Sequence, residues 1–531
     1  STAATALAAR GPDSVVADNP LFYGRITEDG ESGPVTLAGI PLTRAAAVVQ
    51  AAGTNCLIAS AGQTLATHAL AIEAGAAALT LGAAEGDGGL TALAPGGKLD
   101  LINDSSSPLT INAALSNNAA AVSITKSGNG EVLLIGPCSY SGGTAINAGT
   151  LVFASSATQA LVGAISGSGS LVKAGTNLLT LAGRNTFTGV TYINAGIVLA
   201  QTNAAFGSTA GGTIIANGAT LDVGANLAAN NLNLGAEAFT VSGSGVDGKG
   251  AIVNNSGASQ QAVFGQVTLV GDTTFGGAQS GSRFDIRNNT PTLTMNGYTL
   301  TKKGPNMFGL TGANVVPGAG HIDVQEGTLR IESNTRMNGD AANTITLRSG
   351  TALELYRHYP QNACAWTLVC KDDTLVNLVS AAGSAQSNNW AGPIVLDGTL
   401  RLTGAGAYHH VFGGPISGSG SLVKYGATST YMTNDYNTYS GYTWITNGTV
   451  YFTSVGMVGG AASSFGTPAD AAAGKIRLGS GASSVTLNYM GTGDTSDRVL
   501  ELAGTTGGAT LNQLGSGALR FTGGMAVTAS G

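Results

Sequence analysis

The chain has 531 residues, more than one compact core holds, since single cores stop growing near about 250–300 residues, so it is either several domains or an elongated repeat. Charged residues make up only 10% of it, Gly supplies 81 residues, and a 43% hydrophobic content is enough to fold, which excludes disorder over most of the length and sets the chain apart from cytosolic enzymes. A net charge of −6 with no basic stripe excludes nucleic-acid binding, and no window approaches the roughly 18 uninterrupted apolar residues of a membrane span.

Residues 1–41 are irregular, relatively acidic and unlike the remainder of the chain. Their start, STAATALAARG, lacks a Met and a charged-then-apolar signal, so it reads as a mature or trimmed N-terminus and as a candidate joining or capping element. Residues 42–52, LTRAAAVVQAA, are the one stretch that suggests a short helix. From residue 42 to 531 the rest is short alternating apolar runs separated by Gly and Asn-Gly, the pattern of strand, tight turn, strand. Cys56, Cys138, Cys364 and Cys370 have neither zinc-type spacing nor the density of a disulfide framework. Cys364 and Cys370 bracket a short apolar stretch and form the candidate local disulfide, while Cys56 and Cys138 read equally well as buried thiols.

Internal repetition is the dominant signal. Residues 163–175 read GAISGSGSLVKAG and residues 414–426 read GPISGSGSLVKYG, an offset of 251. Each is followed by a second shared block, NTFTGVTYINAG from Asn185 and NTYSGYTWITNG from Asn437, so one residue is inserted between the blocks of the later copy. A third copy precedes the first by 47 residues, with Lys126, Tyr140, Gly142 and Gly149 standing for Lys173, Phe187, Gly189 and Gly196. A looser fourth carries Lys302, Gly304 and Gly327, and the clearest copies span 123–154, 163–200, 300–331 and 414–452.

Strands this short cannot bury a sheet face alone. Coiling them so that each rung lies on the last pairs every backbone group along the axis and closes a narrow apolar interior. The expected fold is therefore all-β, a parallel β-solenoid whose rungs of about 20–25 residues make each 47-residue unit two rungs and the chain roughly two dozen. A propeller repeats at a similar length, but its signature phrases are missing, and a string of sandwiches would need linkers that are not seen.

At GSGSLVKAGTNLLTLAGRNTFTGVTYINAG, residues 167–196, the sequence resembles the autotransporter-associated β-strand repeat of bacterial surface proteins, with further matches at 126–151 and 418–450 and a partial one at 300–329. The resemblance implies a right-handed parallel β-helix in an exported, passenger-like region. Such regions are commonly followed by an outer-membrane barrel or sorting segment, whereas this chain reads as ending part-way through a repeat.

Parallel β-helices also host polysaccharide lyases and hydrolases, whose chemistry needs carboxylates converging on one face. Asp372 and Asp373 are adjacent and would face opposite ways in a strand, as would His409 and His410. Asp494 and Asp497 beside Arg498 read as a polar turn, and the GSGSG runs lack the GK[ST] of a phosphate loop. No catalytic residue, metal site or cofactor is expected. The recurring Lys126, Lys173, Lys302 and Lys424 read as solubilising residues at strand ends that discourage wrong edge pairing, and Tyr140, Phe187 and Tyr439 as core or turn residues. Tyr431, Tyr436, Tyr439, Tyr442, Trp444 and Tyr451 crowd one repeat and, with Tyr356, Tyr359 and Trp366, form the candidate contact for a glycan or another partner.

The leading expectation is a non-enzymatic extracellular rod: a stalk, adhesin or sheath component, secreted or at the bacterial surface. Open solenoid ends template association, so end-to-end stacking into a homopolymer is expected, with surface glycans as the ligand class. The competing expectations are a carbohydrate-active β-helix enzyme and a trimeric phage-type tailspike.

Overall fold

Each short strand finds its hydrogen-bonding partners one coil away, and nearly all of the architecture derives from that. A computed structural model describes residues 23–26, 35–36, 42–51, 53–225, 232–358, 362–379, 387–405 and 409–528. It separates into two units, Ser1–Val263 and Phe264–Gly531, each a stack of parallel coils, and together they hold about 20 turns of β-solenoid, close to the expected two dozen. In the first unit the register runs from Leu151 to Leu171, Thr191, Thr213 and Phe239 on five successive coils. In the second it runs from Phe284 to Phe308, Leu329, Leu353 and Val376. Strand pairs are parallel throughout both series, as the rung argument requires.

Side chains alternate in and out along each strand with a period of two. Ser170–Lys173 and Leu79–Leu81 bury every second residue, and the inward columns of Leu, Ile and Val have almost no exposure. The aromatic that recurs in the repeats is part of this interior. Tyr140, Phe187 and Tyr439 are buried, and the Tyr140 and Tyr439 hydroxyls satisfy themselves on Thr144 Oγ1 at 2.8 Å and Thr443 Oγ1 at 2.7 Å.

The short helix expected at 42–52 is instead the strand Leu42–Gln50. It pairs on one side with Thr64–Ile72 and on the other with Tyr23–Ile26. An Ala-Ala-Ala-Val-Val run is apolar at either period, so its pattern does not discriminate. A parallel partner on both sides outweighs the modest helical preference of Ala. Tyr23–Ile26 and Val35–Thr36 are strands within the stretch expected to be irregular, and the rest of residues 1–41 lies outside the described residues.

The recurring lysines overturn their expected role. Lys126, Lys173, Lys302 and Lys424 are 0–4% exposed. Each faces inward below an apolar residue of the next coil, Ile146, Ile193, Val324 and Ile445 respectively. The ammonium turns back to the corner that comes after its strand. Lys126 Nζ donates to the carbonyls of Ser127 (2.9 Å), Gly128 (2.6 Å) and, on the coil above, Ala148 (3.0 Å). Lys302 does the same with Lys303 and Gly304 (both 2.8 Å) and Glu326 (3.2 Å), and Lys424 with Tyr425, Gly426 and Asn447. Lys173 donates to Gly175 and Ala195. Burial pushes the lysines down, to about 8 at positions 126, 173 and 424 and about 7 at 302. At Lys126, Lys302 and Lys424 three carbonyl acceptors oppose that shift, because an uncharged amine has only two N–H groups to offer.

The glycine of the next turn completes the corner. Gly149, Gly196, Gly327 and Gly448 all have positive φ, 65–83°, and each sits against the carbonyls the lysine caps. A Cβ on Gly327 would lie 2.4 Å from the Asn306 oxygen, 2.5 Å from the Gly304 oxygen and 3.0 Å from Lys302 Nζ.

The disulfide expected between Cys364 and Cys370 is not formed: both are free, buried thiols. Cys370 ends the strand Thr367–Cys370, whereas Cys364 precedes that strand and forms a β-bridge with Trp390 on the next coil. Cys370 instead lines the interior between Leu347 and Leu396.

Both halves of the corner can be tested through stability, read as urea midpoints of the purified chain. Gly327→Ala should cost about 2–4 kcal/mol, because it combines a disfavoured φ with a backbone clash. Lys424→Met should cost about 1–3 kcal/mol by leaving buried carbonyls without donors, whereas a lysine at a solvated strand end would tolerate the change.

Candidate functional site

With the lysines inside, the outward face of the second unit must be assembled from other charges. One parallel sheet there runs from Arg283–Ile286 through Thr328–Glu332, Ala352–Tyr356, Thr399–Ala405, Ser421–Lys424 and Thr443–Ile445 to Ile476–Gly481 and Leu500–Gly504. Arginines at its outward positions stack on aromatic rings: Arg330 over Tyr356 at 4.8 Å, Arg401 over Tyr425 at 5.7 Å and Arg477 over Trp444 at 4.6 Å. Each guanidinium is also paired with a carboxylate, Glu354, Asp373 and Glu501 respectively. An Arg–aromatic–acid group therefore recurs three times along one face.

A cleft of about 470 Å³ opens beside the last of these groups, lined by Tyr442, Asp470, Lys475, Arg477, Glu501 and Ser421. Lys475 lies 3.0 Å and Arg477 2.8 Å from opposite oxygens of Glu501. Asp470 accepts the N–H groups of Ala472 and Ala473, both at 2.9 Å, and the Trp444 indole donates to the Gly479 carbonyl at 2.9 Å. Both carboxylates are thus engaged in pairs and turn bonds. The cleft offers part-exposed cations, hydroxyls and an aromatic edge.

The six aromatics expected to form one patch are divided by the fold. Tyr439 is in the core. Tyr442 lines the cleft, and Trp444 lies under Arg477, one of its lining residues. Tyr431 and Tyr451 lie on a different sheet, ring on ring with centroids 4.4 Å apart, and Tyr436 stands alone at 78% exposure. Trp366 is buried, its indole donating to Asn338 O at 2.7 Å. Tyr356 supports Arg330, and Tyr359 lies outside the described residues.

Lys475, Arg401, Arg477 and Glu501 were not singled out by sequence reasoning, although a signal exists. Leu-Arg-Ile at 329–331, Leu-Arg-Leu at 400–402 and Ile-Arg-Leu at 476–478 each place Arg between two inward apolar residues, so its parity is outward.

The other titratable residues have structural partners. Asp494 accepts the N–H groups of Val455 (2.6 Å) and Gly456 (3.2 Å), and Asp497 that of Val458 (2.9 Å); the segment is not the polar turn expected of it, because Asp494 lies in the strand Thr492–Ser496, which pairs with Gly517–Phe521. Arg498 is buried and donates to the carbonyls of Gly474, Val455 and Phe465. Further back, Arg283, Asp285, Arg287, Arg330, Glu332 and Glu354 form a charge-balanced network. Gly309 makes room for it, since a Cβ there would lie 2.3 Å from Asp285 Oδ1. Among the described residues, no three His, Cys, Asp or Glu side chains are grouped to hold a metal ion. No helix among those residues is long and apolar enough to cross a membrane.

Comparison with known proteins adds two findings. The passenger-associated-transport-repeat family matches residues 124–153, 171–200 and 422–451, each of which contains one buried lysine and the glycine that closes its corner. The chain is also 30% identical over 243 residues to the adhesin BmaC autotransporter of Brucella suis biovar 1 (strain 1330), a match covering 45% of this chain and 6% of that relative. The aligned part is thus a small fraction of the relative's length.

His410 gives this unit a pH signature. Burial, and then the nearby Lys424, push it down to about 3, while its Nε2 lies 3.1 Å from Thr403 O. The unfolded chain takes up this proton near pH 6.5 and the folded one refuses it until about pH 3. Its contribution is therefore complete above about pH 6.5 and falls as pH drops toward 3, by at most about 1.4 kcal/mol per unit. His358, also held down by burial, acts in the same direction. Urea melts between pH 7 and 4 should show His410→Gln with a shallower acid dependence than the parent.

Proposed function

We propose that this chain, an autotransporter passenger-like repeat protein, acts as a non-enzymatic, adhesin-like β-helical stalk at the bacterial surface. The observation that carries the reading is the division of labour among its charges. Repeat lysines are spent inside on backbone carbonyls, and carboxylates are tied into turns and ion pairs. What faces outward on the second unit is a rigid row of Arg–aromatic groups ending in an open cleft. Such a surface suits contact rather than turnover. The name of the Brucella relative points the same way.

The ligand class this reading assigns to the cleft is a surface glycan, held by Lys475, Arg477 and Tyr442. Purified chain on a glycan array should retain acidic or polyhydroxylated oligosaccharides, and a Lys475→Ala/Arg477→Ala double variant should lose about tenfold or more in affinity, equivalent to about 1.4 kcal/mol. An array on which parent and variant behave alike would remove the glycan assignment. Release of shortened or unsaturated products from acidic polysaccharides would overturn the non-enzymatic one.

Filament formation is the finer part of the proposal. An open solenoid edge presents unpaired backbone groups on which a further coil can pair. Sedimentation at rising concentration should show lengthening rods if a second copy supplies that coil; a constant monomer would reject it.

A further inference from the structure

Tyr431 and Tyr451 occupy equivalent outward positions on Ser429–Met432 and Gly448–Phe452, strands of neighbouring coils whose register pairs the two residues directly. Their rings are parallel to within 3° with centroids 4.4 Å apart. Among the described residues no other two tyrosine rings are in contact. Both side chains are part-exposed, and their faces cover one another. Val411 lies below the pair in register and Asn488 above it, and His409 touches Tyr431 edge-on at 5.6 Å. Near-parallel rings paired in register bring the carbons ortho to the two hydroxyls within reach of one another across the gap between coils.

We propose that this pair is a site of oxidative modification, at which a peroxidase-type oxidant with hydrogen peroxide joins Tyr431 to Tyr451 as an intrachain dityrosine. Each phenol gives up one electron and its hydroxyl proton. The resulting phenoxyl radicals pair their spins at the ortho carbons, one Cε of each ring, forming a single carbon–carbon bond. Each joined carbon then loses its hydrogen as a proton while the phenolic oxygen regains one, restoring both aromatic rings. The product lacks two hydrogen atoms relative to the pair, and the two electrons and two protons reduce one hydrogen peroxide to two waters.

Prealignment makes this site distinct from fourteen tyrosines taken at random. Holding two reacting groups in contact turns an encounter into an intramolecular step with a large effective concentration, so the radicals meet before they diffuse to other partners. Tyr436, at 78% exposure, is the best competitor for the oxidant but has no ring beside it. The weld would tie one coil to the next across a short loop, restricting the unfolded chain as a disulfide does. It needs no thiol, and it stands apart from the glycan reading, since neither residue lines the cleft.

The test uses the whole chain, dilute, with peroxidase and hydrogen peroxide. Tyr431 and Tyr451 share one tryptic peptide, as no Lys or Arg lies between Lys424 and Lys475, but cleavage before aspartate separates them into peptides 397–434 and 435–469. The expected result is a monomeric product with dityrosine fluorescence. These two peptides should be joined at Tyr431 and Tyr451 with loss of two hydrogens, and the urea midpoint should rise. Tyr431→Phe and Tyr451→Phe keep a ring in the stack, so circular dichroism should match the parent while the joined peptide disappears; Tyr436→Phe should retain it. Urea-unfolded chain, treated alike, should lose the preference for this pair. Coupling spread over Tyr436 and between chains, or unchanged by Tyr431→Phe, would overturn the proposal.

Discussion

Stacking parallel coils brings backbone carbonyls together at the corners, and the way that crowding is relieved governs the rest of the molecule. Strand carbonyls find N–H partners on the adjacent coil, but turn carbonyls point into the bend, where the next turn lies on top of them. In four copies the solution is an ammonium inserted from inside. The carbonyls of Gly128, Gly175, Gly304 and Gly426 each receive a lysine from two residues before. A buried cation without partners would be prohibitive, and buried oxygens without donors nearly so. Together they satisfy one another, and only a glycine fits above them. The repeat phrase with Lys at one end and a positive-φ Gly at the other describes this corner.

The outward face is free to vary because the corner does not depend on it. In the second unit it carries arginine, aromatic and acidic residues in recurring groups, and the aromatic ring takes one guanidinium face while a carboxylate takes its edge. Exposed pairs of this kind add little to stability singly. Their effect is positional: they hold planar, polar surfaces at fixed spacing on a scaffold that does not rearrange. The cleft beside Glu501 is built on the same recurring groups.

How much of this was legible in the sequence depends on whether one coil or two were needed to see it. Alternation of apolar residues and the echoes at 47 and 251 residues identify the solenoid, because each strand's own residues carry the period. The lysine role was missed although parity pointed to it: in Ser-Leu-Val-Lys the Lys shares the inward side with Leu. The strand at Leu42–Gln50 could not be read locally, since its state is decided by the strands on either side. Neither could the aromatic set, because Tyr431 and Trp444 are close in sequence yet lie on different sheets of the same coil region, with a turn between them.

The register has a kinetic meaning as well. Leu151, Leu171 and Thr191 are neighbours in space at a constant twenty-residue step, so each new coil closes a loop of similar, modest size however many precede it. Loop-closure entropy grows only with the logarithm of length, and here it does not accumulate along the stack. Extended β-sheets usually fold slowly because distant segments must meet. In this chain the segments that must meet are always the last coil formed and the next one, so growth can proceed by templating, one corner at a time, within each unit.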